Sequence, residues 1–183
     1  MKIKLKTERM KGNGPGIAAK KGWGFQPNYL YGLDDLCKKF VNGQSTMLEI
    51  GCNRGISTSL FCEYAGSVVA IDPNYTPEMQ ELVESSDNLT FHKETSITYV
   101  PKIQKEGLKY DFIYIDADHH YKPVLRDIRL SLTILKSPGV LAGHDMNPND
   151  PGVLQAVNEF FPGIMTGETI LHRFSDSSWA IEL

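Results

Sequence analysis

Acidic and histidine side chains follow two apolar runs of this sequence, and their types suit them to chemistry. They are Asp116, His119, His120, His144 and Asp145. Carboxylates and imidazoles can bind a divalent cation, and an imidazole can also move a proton near neutral pH. These positions are therefore the first candidates for catalytic or metal-binding residues.

A glycine-containing turn lies upstream of these residues. The segment Met47–Gly55 runs from an apolar stretch into Glu49 and then into Gly51 and Gly55. Glycine lets a backbone bend sharply and approach a ligand without an interfering Cβ. A dinucleotide fingerprint would read G-x-G-x-x-G, but position 53 is Asn. The turn thus predicts a ligand-binding loop and disfavours NAD without excluding it.

An aspartate follows the next apolar run, about one βα unit after the turn. Asp72 comes directly after Val68–Ile71. In a nucleotide site built on a βαβ unit, a carboxylate at this point can accept hydrogen bonds from both hydroxyls of a ribose. The alternative is that Asp72 only caps the turn before Pro73.

Alternating strand and helix signals determine where these residues lie. The predicted strands are Thr46–Ile50, Ser67–Ile71, Leu89–Lys93, Tyr110–Ile115 and a run from Gly139 to Gly143, followed by Thr169–Phe174 and Ser178–Leu183. The predicted helices are Tyr29–Val41, Ile56–Tyr64, Thr76–Ser85, Ile97–Glu106, Lys122–Leu135 and Pro151–Phe160. Short strands that are apolar on both faces favour an α/β, doubly wound parallel sheet, with the last two strands antiparallel. Ligands of such sheets bind beyond the carboxyl ends of the strands, where the candidate residues stand.

The helix Lys122–Leu135 has the clearest amphipathic pattern. Its apolar stripe consists of Leu125, Ile128, Leu132 and Leu135, and Arg126, Asp127 and Arg129 are expected to face solvent. This pattern predicts a helix that covers one face of the sheet.

Composition indicates one soluble domain of 183 residues with a net charge of −3. Residues 1–28 form a Gly-rich basic arm before a main domain, residues 29–183, since residues 1–22 hold seven of the 19 Lys and Arg. The arm is either a solvated tail, a segment that steers an anionic partner, or a contact in a homo-oligomer. Three cysteines without zinc spacing, and no signal or membrane-spanning run, lead us to expect a cytoplasmic protein.

Together these residues resemble the S-adenosylmethionine-dependent methyltransferases of the Rossmann-like class. Their first motif is matched by Glu49, Gly51 and Gly55, and their ribose-binding acid by Asp72. The segment Phe112–Tyr121 and the later Gly143–Asp145 resemble the small-molecule O-methyltransferases that use a divalent metal, of the macrolide-sugar and catechol type. The resemblance implies a Rossmann-like fold and an enzyme that methylates a hydroxyl of a small molecule.

The resemblance also implies roles for individual residues. The implied cofactor-binding residues are Glu49, Gly51, Cys52, Asn53, Gly55, Ser57, Asp72, Ser96 and Asp116. The implied metal ligands are Asp116, His144 and Asp145, with magnesium or manganese as the ion. His119 matches the catalytic base, and its neighbour His120 competes for that role.

His144 departs from the pattern, because the metal-using relatives usually have a carboxylate, or an Asp followed by Asn, across positions 144 and 145. An imidazole ligand shifts the preference towards manganese, iron or zinc. Alternatively, His144 supports the ligands from outside, or the metal is absent and His119 acts alone.

Other functional classes fit parts of the sequence. An NAD(P)-dependent oxidoreductase would share the fold. A metal-dependent hydrolase or oxygenase could use the same acids and histidines. A noncatalytic binding module would use the fold without any catalytic residues. A nucleic-acid partner is not expected, since the Asn/Asp-Pro-Pro-aromatic signature for methylating base amino groups is missing after Ile115.

Overall fold

A computed structural model of the protein describes residues 30–183. The predictions for the arm, residues 1–28, lie outside the described residues. Within residues 30–183, none of the helices combines the length and apolar character needed to cross a membrane.

The described chain alternates between strands and helices. Its elements are α1 (Leu30–Phe40), β1 (Thr46–Ile50), α2 (Ile56–Tyr64), β2 (Ser67–Ile71), α3 (Pro77–Ser85), β3 (Leu89–His92), α4 (Ser96–Glu106), β4 (Tyr110–Ile115), α5 (Tyr121–Ile134), β5 (Leu135–Gly143), α6 (Pro151–Phe160), α7 (Gly163–Thr166), β6 (His172–Arg173) and β7 (Trp179–Glu182). The bounds of β1, β2, β4, α2 and α6 are as predicted. Three differences stand out: α7 was not predicted, β5 begins directly after α5, and β6 is only two residues long.

Seven strands form one sheet in the order β3-β2-β1-β4-β5-β7-β6. The first five strands in this order, β3, β2, β1, β4 and β5, are parallel, while β7 pairs antiparallel with both β5 and β6. The predicted fold class is therefore confirmed. The chain proceeds from β1 to β2 and β3 on one side of β1 and then crosses to β4 on the other side, so the strand order reverses between β1 and β4. Ligands bind at such a reversal in doubly wound sheets.

The sheet is covered on both faces, which explains why its strands are apolar on both sides. Helices α1, α2 and α3 pack on one face, where Phe112 and Tyr114 of β4 are buried. Helices α4, α5 and α6 pack on the other, where Ile113 and Ile115 of the same strand are buried. The strands β1, β4 and β5 are thus held between two hydrophobic clusters, one on each face of the sheet.

One prediction for α5 is wrong, because Asp127 does not face solvent. Its side chain is buried and accepts a hydrogen bond of 2.6 Å from the Ser96 hydroxyl at the start of α4. A buried carboxyl group is tolerated where a donor compensates for the lost water. Val124 belongs to the buried face of the helix, whereas Leu132 is only partly buried. The buried face is therefore rotated from the stripe that the apolar residues predict.

Candidate active site

The turn after β1 depends on glycine, but protein atoms fill the space that the missing side chains leave. Gly51 has φ 91°, and a Cβ there would lie 2.2 Å from the carbonyl oxygen of Asp116. Gly55 has φ 77°, and a Cβ there would lie 2.9 Å from atoms of Leu82 and Met79. The glycines thus allow the loop to pack against β4 and α3, rather than only making room for a ligand.

Glu49 lies beneath this loop and is fully buried. The hydroxyls of Ser57 and Thr58 donate hydrogen bonds to its two carboxyl oxygens. Burial raises the pKa of Glu49 from 4.5 to about 8, against the lowering effect of these two hydrogen bonds. Glu49 therefore supports the loop from below, and the Ser57 hydroxyl is occupied in the same network.

A cavity of about 960 Å³, here called the loop cavity, opens between the ends of β1, β2 and β4. Seven of the nine predicted cofactor-binding residues line it, namely Gly51, Cys52, Asn53, Ser57, Asp72, Ser96 and Asp116. Glu49 and Gly55 are not among the lining residues. Burial raises the pKa of Cys52 well above its ordinary value, so its thiol is a packing group rather than a nucleophile.

Asp72 is held at the wall of the loop cavity by the backbone. One of its oxygens accepts a 2.9 Å hydrogen bond from the Asn53 amide, and the other a 2.8 Å bond from the Asn74 amide. Asn53 has φ 45°, in the left-handed region that asparagine tolerates. A carboxylate offers about four acceptor positions, so Asp72 can still accept hydrogen bonds from a ligand.

Side chains from the ends of β4 and β5 converge in what is here called the acid–histidine cluster, namely Asp116, His119, His144, Asp145 and Asp150. One donor atom each from Asp116, His144 and Asp145 lies within 4.8 Å of the others. His119 Nε2 lies 3.0 Å from Asp145 Oδ2 and 3.6 Å from Asp116 Oδ1, and His144 Nδ1 lies 3.1 Å from Asp145 Oδ1. The structure therefore brings together all three residues predicted as metal ligands and the favoured base.

Close contact shifts the proton affinities of the cluster. The nearby carboxylates of Asp116 and Asp145 raise the pKa of His119 to about 9, although partial burial opposes this. Burial also opposes the charged form of His144, but the hydrogen bond to Asp145 and the charge of Asp116 raise its pKa to about 9. Although burial favours the neutral form of Asp145, His144 and His119 lower its pKa.

The other histidine candidate lies apart from the cluster. The His120 side chain is 90% exposed, and its Nδ1 lies 2.6 Å from Asp118 Oδ1. The peptide amide of His120 also donates to Asp118, which therefore caps this loop. His120 does not line the loop cavity.

Sequence reasoning missed Asp150, which precedes α6. Asp150 Oδ1 lies 3.3 Å from His119 Nδ1, on the side of the imidazole that faces away from Asp145. The side-chain amide of Asn147 donates to its other oxygen at 3.1 Å. An aspartate immediately before Pro151 resembles an ordinary helix start, so its sequence context indicated capping rather than contact with His119.

A second cavity, here called the α1 cavity, adjoins the cluster on the side of α1 and has a volume of about 580 Å³. Leu30 and Leu33 of α1 line it together with Tyr114. Ile56, Ser57, Asp116, His144 and Asp145 line both cavities. The cluster therefore stands at the boundary between the two spaces.

The chemistry of the donor set fits a divalent cation. Two carboxylates and one imidazole suit manganese, iron or zinc, and also magnesium if oxygen ligands dominate. In the described part of the chain, the ion pairs recorded for Asp116 and Asp145 are with histidines. No lysine or arginine there occupies the place that a cation would take.

Comparisons with known proteins agree with this architecture. Residues 48–146 match the model of a family described as a methyltransferase domain. An uncharacterized protein, R132, from Acanthamoeba polyphaga mimivirus is 24% identical over 157 residues, covering 78% of this chain and 71% of that protein.

Solved structures with the same fold include an O-methyltransferase from Bacillus cereus in complex with SAH. It is 18% identical, with 91% of this chain and 86% of that chain covered and a TM-score of 0.65. CalS11, a TDP-rhamnose 3'-O-methyltransferase of calicheamicin biosynthesis, is 15% identical over 85% of this chain and 78% of its own, with a TM-score of 0.66. The chain spans 48% of a longer Streptococcus mutans chain with the same fold, at 15% identity and a TM-score of 0.59.

Proposed function

Because residues 48–146 match its model, the chain belongs to the methyltransferase domain family, and we propose that it transfers a methyl group from S-adenosylmethionine to a hydroxyl of a small molecule with help from a divalent cation. The similar O-methyltransferase from Bacillus cereus was solved with SAH, which supports this choice of donor. CalS11 is a sugar O-methyltransferase, which supports an oxygen acceptor. The family does not favour the oxidoreductase alternative.

The loop cavity provides what the donor needs. Asp72 offers acceptor positions to the ribose hydroxyls, and its place after β2 is the expected one for that task. The start of α2 carries backbone N–H groups that attract the carboxylate of the methionine portion. Ser96 and its partner Asp127 line the same cavity after β3 and provide a polar wall for the adenine. Each end of the donor thus has a polar contact available.

Methyl transfer to a hydroxyl requires that the oxygen lose its proton, and His119 is placed to accept it. Its Nε2 lies beside Asp145, while Asp150 lies beside Nδ1 and can hold the ring in one orientation. A divalent cation held by Asp116, His144 and Asp145 would lower the pKa of a bound hydroxyl and offset the carboxylate charges that keep the pKa of His119 at about 9. A protonated His119 could not serve as a base, so metal and base are expected to act together.

The observation that carries the proposal is the location of the cluster. Asp116 and Asp145 lie at the boundary of the loop cavity and the α1 cavity. A methyl donor in the first space and an acceptor in the second would meet at these side chains. Such an arrangement supplies the positioning that a transfer reaction between two bound molecules needs.

Two binding measurements and one activity measurement test the proposal. Calorimetry should show that S-adenosylmethionine and SAH bind the wild type, and Mn²⁺ titration followed by electron paramagnetic resonance should show one site that Asp116→Asn loses. A panel of hydroxylated small molecules with radiolabelled donor should give transfer that needs metal and disappears in Asp116→Asn. Asp111→Asn is the matched control, because this carboxylate of β4 pairs with Lys136 and lines neither cavity. Failure to bind the donor at millimolar concentration, or unchanged Mn²⁺ affinity in Asp116→Asn, would refute the proposal.

A further inference from the structure

The α1 cavity has a wall of mixed character, which restricts what can bind there. Leu30, Leu33 and Ile56 give it an apolar side. The rest of the lining is mostly polar and includes Asn147 and Asn149. A volume of about 580 Å³ is within the range of cavities that hold small organic ligands.

The charges around this cavity are almost all negative. Its wall contains the four carboxyl groups of Asp116, Asp145, Asp150 and Asp176. Among the described residues that line it, His144 is the sole basic side chain. His119 contacts three of these carboxylates from outside the wall, and one protonated imidazole together with one divalent cation would still not cancel four carboxylates. The cavity therefore repels anions and favours neutral or cationic molecules.

Asp176 is the carboxyl group of this wall that lies outside the acid–histidine cluster. Its side chain is buried, and it accepts hydrogen bonds from the Ser178 amide at 3.0 Å and the Ser178 hydroxyl at 2.9 Å. Ser178 is itself 2.8 Å from the hydroxyl of Tyr114. A Cβ at Gly32 would lie 2.2 Å from Asp176 Oδ1, so the glycine of α1 leaves room for the carboxyl group. Asp176 is thus fixed in place and retains acceptor capacity towards the cavity.

We propose that the α1 cavity binds a methyl acceptor that carries further hydroxyl or ammonium donors and no anionic group, and that Asp176 accepts a hydrogen bond from one of these donors. This inference rests on the proposed function and names its substrate class. The reacting hydroxyl lies at Asp116 and Asp145, and a neighbouring donor group of the same molecule reaches Asp176. Polyols and amino sugars have this chemistry, whereas phosphorylated or carboxylated acceptors do not.

Three probes of similar size and different charge test the inference. Methyl glucoside is neutral, glucosamine is cationic and glucuronate is anionic, and saturation-transfer NMR with Mg²⁺ and SAH present measures their binding. We expect the first two to bind and glucuronate to bind at least tenfold more weakly. Asp176→Asn should weaken the binding of glucosamine at least fivefold and weaken the binding of methyl glucoside by a smaller factor. The matched control is Asp111→Asn. It removes a carboxylate that pairs with Lys136 near the amino end of β4, away from the site, and it should leave the binding of both probes unchanged.

The NMR chemical shifts of the Ser177 and Ser178 backbone amides can be measured in the wild type, so this readout requires no variant. Glucosamine should move both signals. Binding of glucuronate as tight as that of glucosamine, absence of binding by all three probes, or shifts confined to other residues would overturn the inference. Separate titration of the wild type with SAH identifies failure of the proposed function, and a repeat of the three probe titrations without SAH measures the charge preference of the cavity independently of the donor.

Discussion

Two regions near the candidate site, the turn after β1 and the end of β5, each contain a carboxyl group, and the pKa values of these two groups are shifted in opposite directions. Beneath the turn after β1, burial raises the pKa of Glu49 to about 8, and its partners are two hydroxyls from the adjacent helix. At the end of β5, Asp145 is also partly buried, but the imidazoles of His144 and His119 lower its pKa. The difference shows that partners rather than residue type decide whether a strand-end acid supports the fold or carries charge.

The sharpest test of the charged region compares its two adjacent histidines. His119→Ala should lower the rate of metal-dependent methyl transfer by roughly 10²- to 10⁴-fold, the usual contribution of a general base. His120→Ala should leave the rate within about twofold, because its side chain is 90% exposed and pairs with Asp118. Steady-state kinetics with labelled donor measures both. Equal losses, or a larger loss in His120→Ala, would place the base elsewhere.

In the region around the turn, Asp72 offers the next largest effect. Asp72→Asn should weaken SAH binding roughly tenfold to a hundredfold, about 1.5–3 kcal/mol for hydrogen bonds to a charged group. The change also leaves a single acceptor oxygen for the two amides of Asn53 and Asn74. Calorimetry measures the affinity, with Asp111→Asn as the control, because this carboxylate pairs with Lys136 and does not line the loop cavity. Affinity within twofold of wild type would mean that Asp72 only caps its turn.

Much of the turn region could be predicted from sequence, because its contacts are local. Short apolar runs bounded by Gly51, Asp72 and Asp116 gave the strand ends, since strands buried on both faces have this pattern. The meeting of Asp116 and Asp145 was also predictable, because parallel neighbouring strands end at the same edge of a sheet. The role of Glu49 was not predictable in the same way. Its position in the motif predicted contact with the cofactor, yet its side chain is fully buried beneath the turn.

The rest of the cluster depends on packing between distant segments. Asp150 and Asp176 reach the site from loops before α6 and before β7, and neither has a local pattern that marks it as functional. Asp127 was misplaced because charge at a helical position usually indicates solvent. The hydroxyl of Ser96, 31 residues away, and the side chain of the adjacent Arg126 donate to this carboxylate and reverse that expectation. Long-range partners of this kind can be read only from the folded chain.

The buried pair on α4 and α5 leads to a stability prediction. Asp127→Ala should lower the free energy of unfolding by about 1–3 kcal/mol, because the buried Ser96 hydroxyl loses its acceptor. Arg129→Ala, on the exposed side of the same helix, should change it by less than about 0.5 kcal/mol. Urea denaturation measures both variants. A similar small effect for both would indicate that Asp127 faces solvent after all.

The opposite proton affinities of the two regions can be separated by pH. Between pH 4.5 and about 8, Glu49 has lost its proton in the unfolded chain but keeps it in the folded one. Unfolding then releases a proton, so the wild type loses stability as pH rises through this window, by up to about 1.4 kcal/mol per pH unit. Glu49→Gln keeps a neutral group of similar shape and lacks this titration. The stability of wild type minus that of Glu49→Gln, from urea denaturation at pH 5.5, 6.5 and 7.5, should therefore fall with increasing pH. A constant difference would show that Glu49 is ionised in the folded protein and that both regions of the site carry charged carboxylates.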